Sequence, residues 1–237
     1  MFLPMRKVRG AELLDRPDLP EADIRANLAD LRRINRYLGG TRVVRNFLRQ
    51  ELQQAELREA TLLDVATGSA DIPQALGAWC RRRGVRLRVT AVDRRSSHIS
   101  MFLSSDCRET VLFPVAADAF CLPFADASFT WVTASLLLHQ FDEEESVHIL
   151  RELHRLAQRS VFINDLERDW VPFVFMKLTR PIFARCHLSR YDSAVSIRQA
   201  FSPGELGDLA RQAGFRRFAV RRYFPYRLSL RIEKDSS

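Results

Sequence analysis

Leu62-Leu63-Asp64-Val65-Ala66-Thr67-Gly68-Ser69-Ala70-Asp71-Ile72 runs from a short apolar stretch through a turn of small residues into a helical pattern. Thr61 to Val65 reads as a strand and Ile72 to Arg83 as a helix. Small residues in such a turn let a ligand approach the backbone. The N-terminus of the following helix also presents unpaired N–H groups to polar or anionic ligand atoms. An alanine at Ala66 or Ala70, in place of a more permissive glycine, fits if its φ is negative. Taken alone, a turn of this kind is weak evidence for any ligand.

Outward from this segment, strands and helices alternate. Leu87 to Val92, Val111 to Ala116, Phe129 to Ala134 and Val161 to Ile163 read as strands; His98 to Ser104 and Glu143 to Ala157 read as helices. This alternation implies right-handed crossovers and a parallel, doubly wound sheet covered on both faces. Ser202-Pro203-Gly204-Glu205 is a capping box with proline at the first helical position, and it opens a helix ending at Gly214. Phe215 to Val220 and Tyr226 to Ile232 close the sheet, for seven strands in all. Upstream, Ile24, Leu28, Leu31, Ile34 and Leu38 recur at helical spacing. Gly39-Gly40 breaks that helix, and Val43, Val44, Phe47, Leu48 and Leu52 begin a second one. The stretch WVPFVFMKLTRPIF after Asp165 is apolar, is interrupted by Pro172 and Pro181, and follows no clean period.

A chain of 237 residues, 46% hydrophobic and 28% charged, can bury one sizeable core. The expected division is effectively a single domain: a helical cap over 1–60, then a core over 61–237 with a lid insert at 166–200. No segment reaches the roughly 20 apolar residues of a membrane span, and the opening residues lack the apolar run of a signal peptide, so the cytoplasm is the expected location. Cys80, Cys107, Cys121 and Cys186 show neither CxxC pairing nor metal-ligand spacing and read as reduced core residues, with no metal expected. The net charge of +8 suits nucleic acid or an anionic surface, but the arginines are dispersed rather than gathered into a tract.

The acidic residues at the strand ends carry the chemistry. Asp93 ends the second strand in Ala-Val-Asp, where a carboxylate can accept two hydrogen bonds from a ribose diol. Asp118 follows the third strand in Ala-Asp-Ala-Phe-Cys-Leu-Pro-Phe. Asp126-Ala-Ser-Phe-Thr-Trp-Val and Ser135-Leu-Leu-Leu-His-Gln-Phe come next. Each aspartate also has a plain structural reading: Asp64 as a turn cap, Asp93 as a helix N-cap, Asp118 in an Asx turn. Their co-occurrence at these intervals favours a nucleotide-like ligand.

From Leu62 to Asp165 the sequence resembles a class I S-adenosylmethionine-dependent methyltransferase of the small-molecule group that includes the ubiquinone- and menaquinone-biosynthesis enzymes. The resemblance implies a Rossmann-like fold, S-adenosylmethionine as cofactor, and a role in natural-product or quinone biosynthesis. It gives Asp64, Ala66, Gly68 and Ser69 to the cofactor's amino-acid end, and Asp93, with the adjacent Arg94, to the ribose side. Asp118, Ala119 and Phe120 are given to the adenine, and Ser135 to the neighbourhood of the methyl group. The chain departs from the family at Ala66 and Ala70, where glycine is common.

Transfer to a hydroxyl requires removal of its proton, and imidazole titrates in the right range. His139, just beyond the fourth strand, is the expected base, with Asp165 at the end of the fifth strand as its orienting partner. A packing or capping histidine is the competing reading. The acceptor pocket is expected under the amino-terminal helices and the insert, with Arg33, Tyr37, Trp170, Phe173 and Met176 contacting a small, largely apolar acceptor such as a phenol, polyketide or quinone precursor. The alternatives are a nucleic-acid methyltransferase and a non-catalytic RNA-binding protein of the same fold. Against the first, the chain has no Asn/Asp-Pro-Pro-aromatic motif and no Pro-Cys or Thr-Cys nucleophile. A monomer or homodimer is expected.

Overall fold

Strand β1 (Glu59–Val65) lies near the middle of a seven-stranded sheet and buries alternate residues on opposite faces. On one face Leu62 joins Trp131 and Phe162 beneath Val43, Val44, Phe47 and Leu48 of helix α2 (Gly40–Ala55) and Ile72 and Leu76 of helix α3 (Asp71–Arg81). On the other, Leu63 and Val65 pack with Ile149, Leu150 and Leu153 of α5 (Glu143–Leu156) and Leu206 and Leu209 of α8 (Pro203–Gln212). Covering both faces explains why the strands read as apolar runs rather than as alternating patterns. The computed structural model describes residues 5–16, 18–102 and 111–234.

The strand order is β3-β2-β1-β4-β5-β7-β6. The remaining strands are β2 (Arg86–Asp93), β3 (Val111–Ala116), β4 (Phe129–Ser135), β5 (Ala157–Leu166), β6 (Phe218–Tyr223) and β7 (Arg227–Glu233). β1 to β5 pair in parallel, and β7 pairs antiparallel with both β5 and β6. The expected doubly wound, mostly parallel sheet is therefore present. Strand order reverses between β1 and β4, so a crevice opens at their carboxyl ends.

Helix α1 (Glu21–Tyr37) and α2 are separated where the glycine pair predicts. Gly39 has φ +89°, and a Cβ on Gly40 would lie 2.5 Å from the Asn35 side-chain oxygen, so a larger residue at Gly40 would displace Asn35. The capping boxes are formed at Ser202–Glu205 and, unanticipated, at Asp142–Glu145.

Three readings change. β5 begins at Ala157 rather than Val161, directly after α5, and polar Gln158 and Arg159 hid its start. The closing strand β6 starts at Phe218, three residues later than expected. The aperiodic insert is two helices, α6 (Trp170–Phe183) and α7 (His187–Gln199). Asp169 caps α6 by accepting from Val171 N at 2.9 Å, and Pro172 lies in the first turn, where its missing N–H costs no helical bond. No amphipathic period shows because α6 is apolar on both sides: Phe175, Met176 and Phe183 face inward to a cavity, while Val171, Val174, Leu178 and Ile182 are exposed.

The short helix α4 (Ser96–Ser100) stops before Ser104, which lies outside the described residues, as does Cys107. Of the other cysteines only Cys80 is a core residue; Cys186 is half-buried and Cys121 is exposed in the loop after β3. Among the described residues, no helix is long and apolar enough to cross a membrane.

Candidate active site

The turn after β1 is held by the end of β2. Thr67 N donates to Val92 O at 2.9 Å, and Gly68 N donates to Asp93 Oδ2 at 2.8 Å. This path places Ala66 at φ +55°, Gly68 at +54° and Ala70 at +54°, so the expectation of negative φ at the two alanines fails. For an alanine the left-handed region costs about 1 kcal/mol. The surrounding turn offsets it.

Asp64 is buried at the floor of this turn. Its Oδ1 accepts from Thr133 Oγ1 and its Oδ2 from Thr67 Oγ1, each at 2.7 Å. Burial pushes its pKa up to about 6 against the pull of the two hydroxyls, and the neighbouring charges that act on it, Asp71 and Asp93, are of its own sign. A cationic ligand group would restore its full charge. Asp93 accepts from Gly68 N and from Arg95 N (3.0 Å), with His98 Nδ1 at 3.4 Å. Burial alone would raise its pKa, but His98 and the two N–H groups hold it below the usual range. Each of its oxygens is engaged yet keeps a second lone pair for a hydroxyl. Asp118 is exposed and accepts from Phe120 N at 3.0 Å, the Asx-turn geometry, while the Phe120 ring stands edge-on to Phe141 at 5.3 Å.

All ten residues predicted to hold the cofactor line one cleft of about 410 Å³, from Asp64 and the small-residue turn through Asp93 and Arg94 to Asp118, Ala119, Phe120 and Ser135. Size and donor set suit an adenosyl amino acid. There are acidic groups for an ammonium and a diol, an aromatic edge, and backbone N–H groups at the start of α3.

A second cavity of about 160 Å³ adjoins it beneath α1, α6 and α7. The two share Leu14, Leu31, Leu136 and Gln140 as lining residues. Leu136 leaves β4 at φ +58°, with its N–H on Asn164 O at 2.9 Å. Strain of this kind at the junction of two cavities persists only where surrounding structure enforces it.

His139 lines the second cavity and is buried. Its Nδ1 lies 2.6 Å from Asp165 Oδ1, its backbone N donates to Asp165 Oδ2 at 3.2 Å, and its Nε2 lies 3.3 Å from Glu12 Oε1. Glu12 Oε1 also accepts a very short hydrogen bond from Ser196 Oγ. Burial would lower the imidazole's pKa, but the flanking carboxylates outweigh it and hold the ring protonated, with a pKa raised to about 10. Asp165 and Glu12 are correspondingly held below their usual ranges despite burial.

Of the residues predicted to contact the acceptor, Met176 and His139 line this cavity and the others do not. Arg33 is turned onto Asp30 (2.5 Å) and Phe183 O (3.3 Å). Tyr37 is 62% exposed. Trp170 and Phe173 pack edge-on against each other on the same helix. Sequence reasoning missed Glu12, Asn27 and Arg227, which come from the amino-terminal strap, α1 and the start of β7. Their only sequence signal is polarity beside apolar residues, which many exposed positions of this chain share.

Residues 63–163 match the family model of a methyltransferase domain. The chain is 25% identical over 178 residues to the demethylmenaquinone methyltransferase of Thermotoga maritima, covering 68% of this chain and 72% of that one. The crystal structure of the plantazolicin methyltransferase BamL, solved with a triazolic desmethyl analogue and S-adenosylhomocysteine, superposes with TM-score 0.67 at 13% identity over 91% of this chain and 99% of that one. The magnesium protoporphyrin IX methyltransferase of Synechocystis PCC 6803 gives TM-score 0.57 at 14% identity, over 83% and 84%. At such identities these structures speak for the fold alone. The sheet, the cleft and the matched segment define a methyltransferase domain of the Rossmann-like type. In its matched segment and in its fold the chain is similar to the class I S-adenosylmethionine-dependent methyltransferases.

Proposed function

We propose that this enzyme methylates an oxygen of a small, largely apolar acceptor of the phenol, polyketide or quinone-precursor kind. The observation that carries the reading is the apolar cavity joined to the nucleoside cleft at Leu136 and Gln140, with His139 in its wall. We read residues 1–60 as a cap and 166–200 as a lid over this cavity, in a cytoplasmic monomer or homodimer.

When bound, S-adenosylmethionine supplies an electrophilic methyl on a positively charged sulfur. Asp64 and the turn 66–69 would hold its amino-acid end, Asp93 and Arg94 the ribose side, and Asp118 to Phe120 the adenine. The remaining work falls to alignment and exclusion of water: Leu136 and Leu31 at the junction keep the acceptor's approach narrow and dry. His139 with Glu12 against Nε2 holds its proton too tightly to act as a base. An acceptor hydroxyl can reach Nε2 only by taking Glu12's place; Glu12 leaves as the neutral carboxylic acid, carrying the Nε2 proton with it, which frees that nitrogen's lone pair and removes one of the two carboxylates that raise the imidazole's pKa. Asp165 stays on Nδ1, fixing the ring and stabilising the charge as the hydroxyl proton moves to Nε2.

The test is calorimetric titration with S-adenosylmethionine and S-adenosylhomocysteine, followed by assay of the loaded enzyme against a panel of phenols and hydroxyquinones. Binding of both nucleosides and methyl ether formation are expected. Cofactor binding with transfer only to nitrogen or carbon acceptors would overturn the oxygen assignment.

A further inference from the structure

The acceptor cavity contains guanidinium N–H groups that the chain itself leaves without a hydrogen-bond partner. Arg227 opens β7 and is 2% exposed, among the largest fully buried side chains of the protein. Its Nη2 donates to Asn35 Oδ1 at 3.2 Å, and Asn35 Nδ2 donates on to Asp71 Oδ2 at 3.2 Å. Its Nη1 is buried with no hydrogen-bond partner, and Arg227 takes part in no ion pair among the described residues. Arg180, on α6, lines the same cavity, and its Nε is likewise buried and unpartnered. The cavity's acidic residues, in contrast, are already committed. Glu12 is bound to His139 and Ser196, and Asp192 accepts from Leu13 N (2.7 Å) and Leu14 N (3.2 Å).

A buried guanidinium with a spare N–H is costly unless something pairs with it. Here the wall beside it is apolar, built from Leu38, Phe175, Met176 and Phe183. We infer that the acceptor carries an anionic oxygen group, a carboxylate in the first instance, which docks on Arg227 Nη1 while its apolar body fills the space under α6. A carboxylate matches the planar fork of a guanidinium, and its charge is worth most in a site shielded from water. Burial lowers the pKa of Arg227 only to about 10, with the charges of Asp165 and Asp71 opposing it, so the side chain stays cationic at neutral pH. Asn27 Oδ1, also buried and unpartnered in this cavity, offers a place for a hydroxyl or amine hydrogen on the same molecule. Arg227 is thus a specificity residue.

This inference rests on the methyltransferase reading, and the experiment separates the two. S-adenosylhomocysteine is titrated first into the wild type, Arg227→Met and Arg227→Lys. The loaded proteins are then titrated with benzoate, cinnamate and 2-naphthoate and with the corresponding neutral amides. Nucleoside binding by all three proteins reports that the cofactor site and the fold are intact, whatever the acids do. For the wild type, at least one acid is expected to bind tenfold or more tightly than its amide. Arg227→Met is expected to abolish that preference with little effect on the amide, and Arg227→Lys to restore part of it. Equal affinity for acid and amide across the panel, binding by none of the acids, or a preference that survives in Arg227→Met would overturn the inference. Loss of nucleoside binding by the wild type would instead sink the underlying reading of the site.

Discussion

The cofactor cleft and the acceptor cavity share a wall but are built by different means. The cleft is made from the ends of β1, β2, β3 and β4 and the turns that follow them, and its polar groups are satisfied either within a few positions, Thr67 on Asp64, Arg95 on Asp93 and Phe120 on Asp118, or between neighbouring strands, Thr133 on Asp64 and Gly68 on Asp93. The cavity is closed by segments that meet only in the folded chain. Glu12 reaches His139 across 127 positions and Ser196 across 184. A site of the first kind is fixed by local backbone geometry. A site of the second kind depends on how the strap, α1, α6 and α7 dock, and it can be reshaped without disturbing the sheet.

The sharpest way to break this comparison is to strike the cavity while leaving the cleft alone. His139 lines the cavity but not the cleft. His139→Ala is expected to lower kcat by 10²- to 10⁴-fold, the range for a positioned acid–base group. Affinity for S-adenosylhomocysteine, read by calorimetry, should change less than threefold. Wild-type turnover across pH would remove His139 from the proton path, and a parallel loss of nucleoside binding would show that the two regions are not separable.

The complementary blow falls on the cleft. Asp93→Ala removes the acceptor of two backbone N–H bonds and a histidine contact as well as any bond to a ribose diol. Hydrogen bonds to a charged group are worth about 1.5–3 kcal/mol each, so S-adenosylmethionine binding should weaken by roughly 100-fold. Asp93→Asn, which keeps one acceptor oxygen, should fall between. Unchanged affinity in Asp93→Ala would reject the ribose role.

This division also explains what could be read from the sequence. The turn and the acidic strand ends were legible in the pattern of residues, the family resemblance assigned the ten cleft positions, and parallel strands bring them to one rim. The Asp165–His139 pairing was legible because Asp165 lies at the end of β5 and His139 just past the end of the adjacent β4. Arg227 was not, because nothing in Tyr226-Arg227-Leu228 distinguishes a buried guanidinium from the many solvated arginines of this chain. Helix α6 escaped because an apolar residue on either side of it erases the period by which helices are recognised. Trp170 and Tyr37 were chosen for their chemistry, but helical geometry turns both away from the cavity.

A smaller effect probes the ion cluster in the cavity wall. His139 has its pKa raised from 6.5 to about 10 by folding, so the stabilisation from charging it is complete below about pH 6.5 and is lost as pH rises through 10. Asp165 and Glu12, held low, contribute in the opposite sense: their share is present above the ordinary carboxylate range and fades as the solution is acidified. Urea midpoints measured between pH 7 and 10 should therefore fall for the wild type more steeply than for His139→Gln. Glu12→Gln, which leaves Asp165 as the sole partner, should shift the wild-type fall to lower pH. Parallel curves for the three proteins would mean that the imidazole is not held charged by this pair.

The smallest expected change lies in the turn itself, and its sign is opposite to the others. Ala66 and Ala70 both sit at φ near +55°, where glycine is free of the Cβ clash that alanine carries. Ala66 is half-buried at the edge of the cleft, so Ala66→Gly relieves strain while giving up little apolar contact, and a gain of about 0.5–1 kcal/mol in unfolding free energy is expected. Ala70 is fully buried against Ala91 and Ile99, so its glycine variant also loses a packed methyl, worth a similar amount, and should come out near neutral. Urea denaturation of the two single variants reads the difference directly. Equal destabilisation by both would show that the turn is not strained at Ala66, and that this chain's departure from glycine there costs the fold nothing.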